Sequence, residues 1–135
     1  MSDIAWYQEL RHRYTLAMRF EERDLKPYAE PISVDSLKQG EAYFSIQYAD
    51  EEMLIPIIET WVFAGRKLSP EDKENRLYFQ DVESYLEGIR YSSGTSQDAT
   101  FQVALEENTK HIFDYEHVLQ ELMKCSLRRR TQVNE

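Results

Sequence analysis

An α+β fold, with an antiparallel β-meander flanked by N- and C-terminal helices, is what this sequence predicts, and three observations carry the prediction. The longest stretches of helical apolar spacing lie near the two ends of the chain. Between them come short runs that alternate with period two or are continuously apolar, separated by turn-rich segments. The chain has 135 residues and neither an internal repeat nor a compositional break, the size of one domain spanning residues 1–135. Strands grouped between helices, rather than alternating with them, favour an antiparallel sheet, either curved or closed into a small barrel.

The first element is expected over about residues 3–24, where Ile4, Tyr7, Leu10, Tyr14 and Met18 recur at spacings of three and four. Ser2 or Asp3 can cap its start, and Pro27 follows its end. The proline-containing segment 26–36 is a connector. In 40–50, Ala42, Phe44, Ile46 and Tyr48 alternate with Tyr43, Ser45 and Gln47, the mark of a half-buried antiparallel strand. The run 53–63 is almost continuously apolar and reads as a central strand, with Pro56 marking a bulge or an edge position. After the polar loop 64–75, residues 76–80 resume as strand. The period then changes: Val82, Tyr85, Leu86 and Ile89 have helical spacing, and Gly88 stands where a helix often stops. Residues 91–99 form a loop, 100–105 alternate as a strand, and "EENT" before "KHIF" predicts a hairpin. A helix over about 114–129, capped by Asp114, ends the fold. The predicted core comprises Phe44, Ile46, Ile57, Trp61, Phe79, Val103, Leu119 and Leu122.

Composition narrows the function classes. Twenty-five acidic residues against sixteen Lys and Arg give a net charge of −9, which opposes binding to nucleic acid and anionic membranes. The basic run "LRRRT" near the C-terminus complements the negative end of a helix. One cysteine, Cys125, excludes an internal disulfide and a cysteine-based zinc site, and a position late in a helix makes it a packed thiol. His12, His111 and His117 lack metal-ligand spacing, so neither a metal nor a cofactor is expected. The segment "MSDIAWYQEL" has no basic and apolar leader pattern, and no apolar run reaches the ~20 residues that span a bilayer, so a cytoplasmic location is expected.

The candidate site residues fall into two sets. A hairpin centred on the 65–75 loop would pair Phe63 with Leu77, Trp61 with Phe79, and Glu59 with Asp81. Two facing carboxylates on an apolar surface cannot both ionise cheaply, so Glu59 and Asp81 would form an acid–base or cation site in an interior cleft. The competing reading makes Asp81 the N-cap of the short helix that follows, and this reading has the better support. The second set is a binding face of Tyr43, Trp61, Tyr78, Gln80, Tyr85 and Tyr91, aromatic and polar side chains on or beside strands. The expected function is a non-enzymatic protein-interaction module, with a protein partner or a homodimer. A small-molecule cleft using Glu59 and Asp81 is the alternative, and acidic mimicry of nucleic acid a third. No nucleophile elbow, glycine-rich phosphate loop or histidine-based motif points to an enzyme.

Overall fold

The computed structural model describes residues 4–6, 8, 9, 19 and 21–133. It contains an open five-stranded antiparallel sheet: β1 (Ala42–Tyr48), β2 (Pro56–Arg66), β3 (Arg76–Asp81), β4 (Phe101–Leu105) and β5 (Ile112–Phe113). The spatial order is β4-β3-β2-β1-β5. A short helix, α1 (Val82–Leu86), follows β3 without a break, and α2 (Tyr115–Val133) comes last. The α+β class and the meander of β1 to β4 are as the alternation predicts.

Two features differ from expectation. Residues 4–6, 8 and 9 are helical, but Arg19 and residues 21–33 are not, so the first helix does not extend to residue 24. Its expected stripe of Tyr7, Leu10, Tyr14 and Met18 lies outside the described residues. β4 and β5 do not form a hairpin, because β5 pairs with β1 at the opposite edge of the sheet. Glu106–Asn108 form a 3-10 turn that redirects the chain, with the Thr109 hydroxyl donating to the Glu106 carbonyl at 2.9 Å. A flat sheet would put Leu105 and Ile112 about 30 Å apart, whereas seven residue steps reach about 25 Å at most. The sheet is therefore curled, though not closed into a barrel.

Pleating assigns the side chains to two faces. One face carries Tyr43, Trp61, Phe63, Leu77, Phe79 and Ile112, which form a single buried cluster with Ile32 and Leu37 of the connector. The Arg66 guanidinium donates to the Val34 carbonyl and ties that connector down. The other face is covered in two places. α2 packs on Ile46 and Phe113 through Val118, with Phe44 and Tyr48 alongside, while α1 and the loop after it shield Tyr78 and Gln80 at the far side. Asp114 caps α2 as expected, accepting from the His117 amide at 2.9 Å. Cys125 is buried, its thiol near the carbonyls of Met53 and Leu54.

Ile46, Trp61 and Phe79 are buried as predicted, and Phe44, Leu119 and Leu122 are half-buried. Ile57 and Val103 are corrections: they are 48% and 47% exposed, because among the described residues the connector and α2 pack on other parts of the sheet. Trp61 is 6% exposed within the aromatic cluster. Trp61→Ala is accordingly expected to lower unfolding free energy by about 3–5 kcal/mol, read from urea denaturation. A cost below about 1 kcal/mol would remove Trp61 from the core.

Candidate functional site

The junction at Asp81 sets the geometry of the region. β3 ends there because the Asp81 carboxylate turns back on the chain that follows. It accepts from the Ser84 amide at 3.0 Å, the Ser84 hydroxyl at 2.5 Å and the Thr100 amide at 2.8 Å. Asp81 thus caps α1 and ties the start of β4 to the end of β3. Burial pushes its carboxyl towards a higher pKa, but the bonds from Ser84 and Thr100 outweigh that and hold it below the usual aspartate value. Beside it, the Gln80 amide nitrogen donates to the Ser84 hydroxyl at 2.9 Å and to the Ile89 carbonyl at 2.8 Å.

Register then decides the carboxylate pair. Asp81 lies opposite Trp61, and Phe79 opposite Phe63. Glu59 lies opposite Ser45 of β1, so the two carboxylates do not face each other. The hairpin is displaced by two residues from the symmetric one. A bulge between Phe63 and Gly65 inserts a residue, and Gly65 takes φ +145°, a conformation a side chain would strain. Lys67, also left-handed at φ 49°, then begins the loop.

The aromatic binding face requires correction as well. Tyr43, Trp61, Tyr78 and Gln80 are all buried, and they divide between the two faces of the sheet. Tyr43 meets Phe63 and Phe79 edge-on, and its hydroxyl accepts from the Lys38 amide. Tyr78 donates to Asp72 at 2.6 Å, and burial together with that bond raises its phenol to about 12. Tyr85 is half-buried beneath the Arg90 guanidinium, 3.7 Å from its ring centroid. Tyr91 is 37% exposed and packs on Tyr78 and Phe101. These side chains shape the fold rather than a common surface.

What the sheet does leave open is the first half of β2. Pairing with β3 stops at Trp61, whereas pairing with β1 continues down to Pro56. The Phe63 amide donates to Glu41 and its carbonyl accepts from Gly40, both on the β1 side. Alternation therefore turns the amides and carbonyls of Ile58 and Thr60 the other way, where no strand meets them among the described residues. Residues 57–60 are exposed on both faces, and Ile55, Ile57 and Ile58 are 59%, 48% and 40% exposed. The turn leading into this edge is rigid: Asp50 accepts the amides of Leu54 and Ile55, and Arg128 of α2 donates to the Met53 carbonyl and the Tyr48 hydroxyl.

A cavity of about 480 Å³ lies elsewhere, beneath α2 against β1 and β5, lined by Ile46, Tyr48, Phe113, His111 and Glu121. Glu59 and Asp81 are not part of it. Among the described residues no group of three or more His, Cys, Asp or Glu is placed to hold a metal. No helix there is long and apolar enough to cross a membrane. The chain matches no protein-family model, no curated protein and no solved structure.

Asp81→Ala is expected to destabilise by about 2 kcal/mol, since it removes a cap and the tie to Thr100, with Asp81→Asn recovering part of the loss. Because the native carboxyl is depressed, its contribution is complete above the ordinary aspartate pKa of ~3.9 and fades as pH falls through the lower native value. Urea midpoints of the wild type and Asp81→Ala between pH 7 and pH 2.5 should therefore converge at the acid end. A gap that stays constant would remove the cap from the account.

Proposed function

We propose that this protein is a non-enzymatic interaction module that accepts an extended strand from a protein partner along the open edge of β2. The observation that carries the reading is the mismatch between β2 and β3. The second strand has eleven residues and the third six, and the surplus of β2 presents unpaired backbone groups between exposed isoleucines. Main-chain hydrogen bonds would supply affinity, and the alternating side chains specificity. An edge of this kind is normally protected by charge, proline or a covering element. Among the described residues, Pro56 and Glu59 are such devices on the first half of the strand, and they leave the outward backbone groups of Ile58 and Thr60 open.

A homodimer is one form of this interaction. A two-fold pairing centred on the edge would set Ile58 against Thr60 of the second copy and Glu59 against the same residue there. Like charges directly opposite each other are destabilising. The dimer is thus expected to be weak at low salt and to strengthen as salt screens the pair.

A second reading rests on the cavity under α2. Its volume is in the range of small-ligand sites, and it combines an apolar floor with the buried Glu121, which pairs with Lys124. Ligand-dependent shifts at Ile46 and Phe113, without change at Ile58, would favour this reading over the edge.

For the edge, the amides of Ile58 and Thr60 are expected to exchange rapidly with solvent, while those of Glu59 and Trp61, turned towards β1, exchange slowly. A photo-crosslinking residue in place of Leu86, 79% exposed on the helix that leaves β3, should trap a discrete protein adduct in cells. Thr60→Pro should abolish the adduct. Protected Ile58 and Thr60 amides in the free monomer, or an adduct indifferent to Thr60→Pro, would overturn the proposal.

A further inference from the structure

The partner strand's chemistry can be argued from the charge around the edge. Two stretches border it: residues 49–60, the turn and first half of β2, and residues 81–89, the end of β3 with α1. Together they contain Asp50, Glu51, Glu52, Glu59, Asp81, Glu83 and Glu87, and not one Lys, Arg or His. Asp50 and Asp81 are engaged in holding backbone amides. Glu51, Glu52, Glu59, Glu83 and Glu87 are all exposed, and none is in an ion pair among the described residues.

Among the described residues, two arginines adjoining these stretches are held in place by neutral groups, and seven acids outnumber them. Arg128 is bonded to the Met53 carbonyl and the Tyr48 hydroxyl. Arg90 lies over the Tyr85 ring and donates to the carbonyls of Tyr85 and Ile89. An acidic rim around an apolar, hydrogen-bonding edge repels an acidic strand and attracts a basic one, at encounter and after docking.

We infer that the natural occupant of the β2 edge is a basic extended segment of another protein, with Lys or Arg alternating with β-branched apolar residues. This deepens the strand-acceptor reading and rests on it. The segment is short. Ile58 and Thr60 each offer one amide and one carbonyl, and Pro56, with no amide, ends the ladder. A partner of five or six residues fills that frame. Its apolar row would lie on the face of Ile58, and its basic row on the opposite face, beside Glu59. The same rim explains why a second copy is a poor occupant: it would bring Glu59 to Glu59.

The test uses the full chain and two fluorescein-labelled peptides, Lys-Val-Lys-Ile-Lys-Val and its Glu-Val-Glu-Ile-Glu-Val counterpart, followed by fluorescence anisotropy. The basic peptide is expected to bind at least tenfold more tightly than the acidic one at 50 mM salt, with the preference shrinking at 300 mM. Thr60→Pro, which removes an outward-facing amide, should weaken the basic peptide at least tenfold. Ile58→Ser, which leaves the backbone and the charge intact, should expose any loss caused by misfolding of the proline variant; it too is expected to reduce the apolar contact and weaken binding severalfold. The combined variant Glu59→Lys, Glu83→Lys, Glu87→Lys should reverse the preference.

The failures are separable. If the two peptides bind alike and both are lost in Thr60→Pro, the edge accepts strands and the basic partner is wrong. If the basic peptide binds but neither Thr60→Pro nor Ile58→Ser weakens it, it is adsorbing to surface charge, and both readings fall. Absence of binding by either peptide at 1 mM also overturns both.

Discussion

The carboxylate of Asp81 is the constraint from which the rest of the architecture follows. By taking the amides of Ser84 and Thr100, it converts a strand into a helix within one residue and anchors β4 to the end of β3. Its Ser84 partner in turn accepts one hydrogen of the buried Gln80 amide, the other going to the Ile89 carbonyl, so that neither is left with the cost of an unpaired buried donor. A single side chain thus ends one element, starts the next and makes the interior polar network possible. β3 is short for this reason, and the unpaired half of β2 is the consequence.

Among the described residues, one side of the sheet is covered by connector rather than by a helix. The aromatic cluster of Tyr43, Trp61, Phe63 and Phe79 is closed by curling of the sheet and by a strap of connector bearing Ile32 and Leu37. Rings meet edge-to-face, the arrangement their quadrupoles favour. The opposite face is divided between α2 and the α1 loop. The side chains that looked like a recognition surface are consumed in this packing, and the surface left over is isoleucine and glutamate rather than tyrosine.

That outcome bears on how the chain works. A core built from aromatics fixes β1, β2 and β3 firmly, so the exposed half of β2 is a rigid template, continuous with the core through Trp61. Arg128 and Asp50 brace its near end, and Asp81 braces the element beside it. For the proposed strand docking, little ordering cost would remain at the edge, the advantage of a preformed site.

Several features follow from the sequence alone, because each is local. Alternation in residues 42–48 marks β1, the change from period two to helical spacing at Asp81 marks the cap, and Asp114 marks the start of α2. The mismatch in strand lengths was also visible, as an eleven-residue apolar run against a five-residue one, and it was the one available signal of an open edge. Tertiary structure decided what depends on register and placement. The loop closes with Arg66 opposite Leu77, and with the one-residue bulge at Gly65 this sets Asp81 opposite Trp61 rather than Glu59, while the 3-10 turn at Glu106 sent β5 to the far edge. The burial of Tyr43, Tyr78 and Gln80 against the exposure of Ile57 depended on where the connector, α1 and the loop after it come to lie. Hydrophobic pattern reports that a residue can be buried; only the path of the remaining chain determines whether anything arrives to bury it.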